Sequence, residues 1–211
     1  MRLLIFITAI IIAFSAVAQN KPQGKNEVSN IVDANSADIR KIEKYLNSIT
    51  TLATPFNQEN SDGERASGMF YLARPGRLRW DYAPPTPILI VAKGSLVAYY
   101  DKELDEVSHI SIDDTLAGLL TRKEISFGKD GVNLIDFKKE NNEMQITVSQ
   151  NDKEEQGNLT MVFSEGNIKL LRMEVVDSIG KTTSVAFDTL VYNKPLDKKL
   201  FALPRVQTKL R

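Results

Sequence analysis

The residue types that most often carry catalysis are sparse in this chain of 211 residues. It has one histidine, His109, and no cysteine. A lone histidine without cysteine companions lacks the usual ligand set of a zinc site. The sequence also contains no G-x-S-x-G nucleophile motif, no phosphate-binding loop and no H-E-x-x-H motif. We therefore expect no metal site, and a structural or surface role for His109.

Pairs of carboxylates occur in three places, all in predicted loops or helix starts, where solvated carboxylates are the usual outcome. A glycosidase-type pair stays open as an alternative, but nothing in the spacing selects one pair. We therefore expect no enzymatic activity and no cofactor. The pairs are Asp101 and Asp105, Asp113 and Asp114, and Glu154 and Glu155.

One arginine stands at an unusual place in a predicted β-hairpin. Over residues 68–82, GMFYLARPGRLRWDY, side chains alternate on both sides of the Pro75-Gly76 turn. Arg74 ends the row formed by Phe70 and Leu72, on the face predicted to point inward. Its guanidinium stays charged and needs acceptors. Two interpretations are open: the side chain reaches past the rim into water, or it lies at a cavity mouth and bonds whatever covers it.

The first residues predict an exported protein. A positive start, an apolar run of about a dozen residues and an A-x-A site predict a secretory signal cleaved after Ala18. The apolar run is shorter than the roughly 20 residues of a spanning helix. We assign residues 1–18 to the signal peptide, 19–34 to a flexible arm and 35–211 to a single domain. Without cysteine, the mature chain cannot carry a thioether-linked lipid, and we expect it to be soluble.

Charge gives no indication of a polyanionic partner. The chain has 27 Lys and Arg against 27 Asp and Glu, so its formal net charge is +0. This balance argues against nucleic acid or an anionic membrane surface as the main partner.

The elements that must position these residues begin with one helix. Residues 37–48 carry apolar side chains at helical spacing, after the candidate N-caps Asn35 and Ser36. From Thr50 onward the period is mostly two, with turn residues between the segments, which predicts about eleven antiparallel strands. A short amphipathic helix is predicted within residues 111–130. The predicted strands cover residues 51–60, 64–73, 77–82, 87–92, 95–101, 104–109, 131–138, 142–149, 157–164, 167–177 and 181–192.

Eleven antiparallel strands are too many for one flat sheet, which predicts a curled sheet. A barrel of about eight strands is filled by its own side chains, whereas a wider one encloses space. The apolar concave face is therefore either a solid core or the lining of a cavity that accepts an apolar ligand. Its first inward positions are Phe56, Phe70, Leu72, Leu78, Trp80, Tyr82, Ile88 and Ile90.

The spacing of these residues resembles a known family. G-x-F-x-L-x-R-P-G-x-L-x-W-x-Y over residues 68–82, preceded by F-x-Q at 56–58, is similar to the periplasmic outer-membrane lipoprotein carriers, the LolA family. The closing L-F-x-L-P at 200–204 resembles the end of that family. Two departures occur: Lys93-Gly94 replaces the common Asp-Gly turn, and Leu78 stands where an aromatic is frequent.

The resemblance implies an unclosed antiparallel β-barrel, mainly β with a helical lid over a hydrophobic cavity. It implies a periplasmic carrier, expected to be monomeric, that takes acylated lipoproteins from an ATP-driven inner-membrane complex to an outer-membrane acceptor. It assigns Arg74 to hydrogen bonds that hold the lid closed, and it assigns the inward apolar positions, with Leu116, Leu119 and Leu120, to the acyl-chain cavity. The alternative is a lipid-binding sensor or an outer-membrane acceptor-like domain of the same fold. The acceptor is a lipoprotein, so the missing cysteine argues against it.

Overall fold

The computed structural model describes Ala34 and residues 36–115, 117–150 and 157–204. Within these ranges the chain forms two α-helices, short 3₁₀ turns and one antiparallel sheet of twelve strands. The predicted signal peptide and nearly all of the predicted arm lie outside the described residues. The helices and strands are α1 (Ala37–Ser48), β1 (Thr51–Asn60), β2 (Arg65–Ala73), β3 (Arg77–Tyr82), β4 (Ile88–Lys93), β5 (Leu96–Asp101), β6 (Glu106–Ser111), α2 (Ala117–Thr121), β7 (Val132–Glu140), β8 (Glu143–Gln150), β9 (Asn158–Ser164), β10 (Leu170–Val176), β11 (Thr182–Phe187) and β12 (Val191–Tyr192).

Helix α1 begins and ends where its apolar spacing predicts. The Ser36 hydroxyl oxygen accepts a hydrogen bond from the Ile39 N–H at 3.3 Å, so Ser36 is the N-cap. Asp38 lies in the first turn, where the helix dipole favours a carboxylate. The other candidate cap, Asn35, lies outside the described residues. The fully buried side chains of α1 are Ile39, Ile42 and Leu46.

The strand order confirms a curled, unclosed sheet built almost entirely from neighbours in sequence. From one edge to the other the order is β6-β5-β4-β3-β2-β1-β11-β10-β9-β8-β7, and β12 also pairs with β1. Because β6 and β7 form the two edges, the connection between them must cross from one edge of the sheet to the other. That connection contains α2, which places the short helix at the opening of the unclosed barrel.

The final predicted strand, residues 181–192, is divided in the structure. β11 ends at Phe187 and β12 begins at Val191. Between them the Asp188 N–H donates to the Pro55 carbonyl of β1 at 3.3 Å. Proline has no N–H to return the second bond of an antiparallel pair, so the ladder is interrupted there. This division gives twelve strands instead of about eleven.

The concave face of the sheet carries the hydrophobic core. Trp80 of β3 pairs with Phe70 of β2 and with Ile90 of β4, and all three are buried. The buried stripe of α1 belongs to the same cluster. Helix α1 therefore packs on the inner side of the sheet, as the pattern of its apolar residues predicts.

The convex face is covered over β3 and β4 by the end of the chain. A 3₁₀ turn, Lys198–Phe201, buries the Phe201 ring there, and the Arg77 guanidinium lies 5.7 Å from the centre of that ring. Arg79 Nη1 donates to the Leu200 carbonyl at 3.1 Å. The closing motif thus packs on the outside of the sheet.

Gly68 lets two aromatic side chains meet on the concave face. A Cβ built at Gly68 would clash with the Asp81 carbonyl oxygen of the paired strand. It would also lie 2.9 Å from a Phe56 ring carbon and 2.9 Å from the Tyr82 Cα. The Phe56 and Tyr82 rings are 5.1 Å apart at their centres, in an edge-to-face arrangement. The glycine is therefore required by close packing.

We predict that Gly68→Ala lowers the free energy of unfolding by about 1–3 kcal/mol or more, because backbone atoms must shift to admit the methyl group. Gly166→Ala is the matched control, since nothing lies within 4 Å of the Cβ it would add. The control should stay within about 0.5 kcal/mol of wild type. Urea unfolding followed by circular dichroism measures both. Equal stability of the two variants would contradict this assignment.

Candidate functional site

The structure brings together the apolar positions predicted to line a cavity. Ten of the eleven are described, and none is more than 7% exposed. Eight of them come from strands and two from α2, and all ten join the cluster that includes α1. Leu116 lies outside the described residues. The ten are Phe56, Phe70, Leu72, Leu78, Trp80, Tyr82, Ile88, Ile90, Leu119 and Leu120.

These side chains pack on one another in the closed conformation. The Trp80 ring centre lies 4.6 Å from that of Phe70 and 5.4 Å from that of Phe56. Such tilted and edge-to-face arrangements are favourable for aromatic pairs. An apolar ligand would therefore need the covering elements to withdraw before it could reach this face. The assignment of these residues to a ligand cavity stays a prediction.

Two buried side chains of the same cluster were not predicted as site residues. Ile125 and Phe127 are 1% and 2% exposed and follow α2 in a segment without regular structure. Between Glu124 and Gly128 they alternate with polar or small residues, and this alternation is the only pattern in the sequence that indicates their burial. We define the lid as α1, α2 and residues 122–128, because these segments together cover the concave face.

Arg74 joins the two helices of the lid. Its Nε donates to the Leu120 carbonyl at 2.8 Å, and its Nη1 donates to the Leu46 carbonyl at 2.6 Å. Both carbonyls lie in the last turns of their helices, and the Leu46 carbonyl also accepts from the N–H of the C-cap residue Ile49 at 3.2 Å. A cation at such a position is also favoured by the helix dipole. Of the two interpretations open for Arg74, the contacts match the one in which it bonds the elements that cover the interior.

The charge of Arg74 is held without a carboxylate partner among the described residues. Burial lowers the pKa of its guanidinium to about 10, so the group stays charged at neutral pH. The two helix carbonyls are therefore the polar groups that compensate its loss of water. Removing either helix from the sheet would return this charge to solvent.

The turn that follows Arg74 adds a second bond to α2. The Gly76 N–H donates to the Thr121 carbonyl at 2.8 Å. Gly76 has φ +74°, in the left-handed region that glycine adopts most readily. The β2–β3 turn thus holds the carboxyl end of α2 through one side chain and one backbone amide.

Within the lid, α1 is bonded to the segment after α2. The Asn47 amide donates to the Ile125 carbonyl and accepts from the Ile125 N–H, both at 2.8 Å. Glu43 Oε1 accepts from the Phe127 N–H at 2.7 Å. These three bonds satisfy backbone groups that a loop beneath a helix would otherwise leave unpaired. The lid is therefore one connected layer.

On its other side, α1 is attached to the second half of the sheet through Tyr45. The Tyr45 hydroxyl lies 2.7 Å from the Tyr192 hydroxyl and accepts from the Leu170 N–H at 3.0 Å. Its ring packs edge-on against Phe163, with 5.8 Å between centres. Burial, and then the bond to Tyr45, raise the pKa of Tyr192. Tyr45 thus attaches the lid to β10 and β12, in addition to the attachment at Arg74.

The residues considered for catalysis are dispersed. His109 is exposed on the edge strand β6, and Asp101 Oδ1 accepts from the Glu103 and Leu104 N–H groups, which makes it a turn cap. Among the residues with described positions, no three histidine or acidic side chains lie close enough to hold a metal ion. Glu154 and Glu155 lie outside the described residues.

A groove of about 550 Å³ lies on another part of the surface. It involves β1, β2, β11 and the loop after β3, and none of the predicted cavity residues lines it. Its wall combines alanines and prolines with exposed polar side chains such as Asn57 and Ser67. We therefore keep the covered concave face as the candidate site.

Comparison with known proteins identifies the family of this chain. The family profile described as "Outer membrane lipoprotein carrier protein LolA" matches residues 47–204, most of the chain. The chain belongs to the LolA family. The matched region includes the sheet, α2, Arg74 and the closing 3₁₀ turn. The family resemblance inferred from residues 68–82 is thereby confirmed.

Relatives of the chain carry the same description. It is 28% identical over 208 residues to an outer-membrane lipoprotein carrier protein of Methylococcus capsulatus, covering 95% of this chain and 91% of that protein. It is 31% identical over 169 residues to the carrier protein of Legionella pneumophila (strain Corby), covering 76% of this chain and 82% of that one. A LolA superfamily protein from Nitrosomonas europaea is similar in structure, with a TM-score of 0.48, 9% identity, and coverage of 79% of this chain and 98% of that one.

Across the described part of the chain, no helix is long and apolar enough to cross a membrane. The two helices have 12 and 5 residues.

We predict that Arg74→Leu loosens the lid without unfolding the sheet. Charge-assisted hydrogen bonds contribute on the order of 1.5–3 kcal/mol each, so amide exchange in α2 and the last turn of α1 should accelerate by at least about tenfold. Hydrogen exchange read by mass spectrometry measures this segment by segment.

Arg65→Leu is the control for the loss of an arginine. The Arg65 side chain is 78% exposed and pairs only with Glu59 among the described residues, so lid exchange should not change. Unchanged exchange in α2 of the Arg74→Leu protein would contradict the lid contact.

Proposed function

We propose that this LolA-family chain is a soluble periplasmic carrier, working as a monomer, that binds the acyl chains of lipoproteins. It takes them as they leave the inner membrane through an ATP-driven complex and delivers them to an acceptor in the outer membrane. Residues 1–18 serve as the cleaved export signal. The protein acts by binding and release, without catalysis.

The observation that carries this proposal is the pairing of an apolar concave face with a lid bonded through Arg74. A permanently solid core has no need of a buried, charged arginine at the ends of the helices that cover it, since that charge must be desolvated. A lid that opens and closes does need a bond that is strong and specific yet reversible. The two helix-end carbonyls supply such a bond.

Burial of hydrocarbon drives loading. Each CH₂ moved from water to an apolar interior is stabilised by about 0.8 kcal/mol, so an acyl chain in the periplasm gains several kcal/mol by entering the concave face. Loading exchanges lid contacts for acyl contacts: side chains such as Leu46 and Leu119 leave the interior and the acyl chain takes their place. The affinity is the difference between these two sets of contacts.

Arg74 tunes that difference. Its bonds exist only when the lid is closed over the empty interior, so they stabilise the empty state and reduce the affinity for cargo. Release then needs no local energy source, because closing the lid recovers the bonds of Arg74 and of Gly76. We propose that this is how cargo bound from one membrane is given up at the other.

The connections of the lid suggest how it opens. Tyr45 attaches α1 to β10 and β12, and Arg74 bonds the carbonyl of the next residue, Leu46. Breaking the Arg74 bonds would let the lid swing away while the Tyr45 attachment stays in place. Asn47 would carry residues 122–128 along with α1.

We predict that Arg74→Leu binds a labelled lipoprotein at least as tightly as wild type but transfers it poorly to outer-membrane vesicles. The reason is that the closed empty state is destabilised while the acyl contacts remain. Arg74→Lys should be intermediate, since an ammonium keeps the charge and loses the planar fork that reaches two carbonyls. A transfer assay with the purified carrier measures loading and release separately.

Arg65→Leu again serves as the control, and it should load and release like wild type. If Arg74→Leu releases cargo as well as wild type, or never loads it although its sheet is intact, Arg74 does not act as a latch. If the wild-type protein binds no acylated lipoprotein at all, the carrier function is wrong.

A further inference from the structure

One buried polar atom has no partner in the part of the chain that the structure describes. The indole Nε1–H of Trp80 has no acceptor, although its side chain is only 1% exposed. Every other buried side-chain nitrogen or oxygen of the described residues is hydrogen-bonded. Buried donors in native proteins are paired in the large majority of cases, so an exception requires an explanation.

A neighbouring residue shows that this face is able to satisfy a buried donor. The Tyr82 hydroxyl, two positions further along β3, donates to Gln58 Oε1 at 2.7 Å, and both side chains are buried. No polar side chain stands beside the Trp80 nitrogen in the same way. Its surroundings include the rings of Phe56 and Phe70, which are at most weak π acceptors, and the aliphatic side chain of Ile90, which accepts no hydrogen bond.

The position of Trp80 fits a ligand group near the opening. Trp80 pairs with Phe70, and Phe70 lies four residues along β2 from Arg74, about 14 Å at the rise of an antiparallel strand. The latch and the unpaired donor therefore lie on the same two strands. A ligand that enters where the lid is released would bring its polar end close to the indole nitrogen.

We propose that the Trp80 indole N–H recognises the carbonyl oxygen of a bound acyl group. This assignment rests on the proposed carrier function. An acyl chain is apolar except at its ester or amide carbonyl, which accepts hydrogen bonds and loses its water on entering the interior. Trp80 supplies a donor that lacks an acceptor, and the acyl group supplies an acceptor that lacks a donor. Pairing them satisfies both.

This pairing makes Trp80 a specificity-determining residue. A site whose buried polar group is left unpaired rejects ligands that cannot pair with it. The interior should therefore favour acyl esters and amides over alkanes or alkyl ethers of equal length. One neutral hydrogen bond of typical strength corresponds to a preference of about tenfold.

The chain contains one tryptophan, which allows a direct experiment. In a proton–nitrogen correlation spectrum of the whole mature protein, the single indole N–H signal reports on Trp80 alone. We expect methyl hexadecanoate to shift this signal downfield, and the matched hexadecyl methyl ether not to do so. Displacement of an apolar dye shows that both ligands are bound.

A chemical variant provides the matched control. Replacing tryptophan with benzothienylalanine during expression exchanges the N–H for sulfur and keeps the shape of the ring. The ester should then lose its advantage of about tenfold over the ether, while the ether binds as before. Trp80→Phe is a second, genetically encoded variant with the same expected loss.

The outcomes separate this assignment from the carrier function. Equal shifts or equal affinities for ester and ether in the wild-type protein would overturn the role of Trp80 and leave the carrier function standing. An ester preference that survives in the benzothienylalanine protein would overturn it as well. If neither ligand displaces the dye, both the assignment and the carrier function fail.

Discussion

The conformation of this protein depends on one guanidinium that bonds the carboxyl ends of two helices far apart in sequence. Arg74 reaches Leu46 in α1 and Leu120 in α2, and both bonds go to backbone carbonyls. Helix α2 has only five residues, too few to be stable alone. Its place over the opening depends on bonds at its end and on burial of Leu119. Arg74 is thus the side chain that bonds both helices that cover the apolar face.

The same arrangement resolves a conflict between stability and binding. An apolar concave face is unstable in water unless it is filled, and the closed structure fills it with its own aromatic rings and with the lid. A face filled too firmly could not accept a ligand. In the carrier function that we propose, a reversible polar bond at the rim would keep the interior apolar and let a modest free energy control access. The unpaired Trp80 nitrogen indicates that the filled state is not fully satisfied by the chain alone.

Much of this fold is predictable from local patterns. The bounds of α1 follow from Ser36 and its apolar spacing, and the β2–β3 hairpin follows from alternation around Pro75-Gly76. The division of the last strand was not predicted, because it arises from Pro55 in a different strand. Strand patterns describe each segment by itself, whereas such an interruption depends on which partner the segment meets.

The site was predictable only in part, for a related physical reason. The row ending at Arg74 predicts that a buried charge needs acceptors. Every residue has a backbone carbonyl, so the sequence does not tell which carbonyls accept, and Leu46 and Leu120 could not be identified as the partners of Arg74. Ile125 and Phe127 lie in a segment too short and irregular for a periodic signal. The lack of an acceptor for the Trp80 indole N–H can be recognised only from the three-dimensional structure, because it depends on where all the buried neighbours lie. The positions of Phe70, Leu72 and Trp80 on one inner face were predicted correctly, because strand alternation alone determines them.

The most direct measurement is the distance between the lid and the sheet in the empty and loaded protein. The chain has no cysteine, so spin labels attach only to cysteines that are introduced. We choose Lys123→Cys in the lid and Asn57→Cys in β1, because both positions are exposed. Pulsed electron–electron double resonance should give a short, narrow distance distribution for the empty protein and a longer distance for the protein with lipoprotein bound. A pair outside the lid, Asn57→Cys in β1 with Asn167→Cys in the β9–β10 turn, should not change. Identical lid distances in the empty protein and in protein saturated with cargo would contradict opening of the lid as the route to the apolar face.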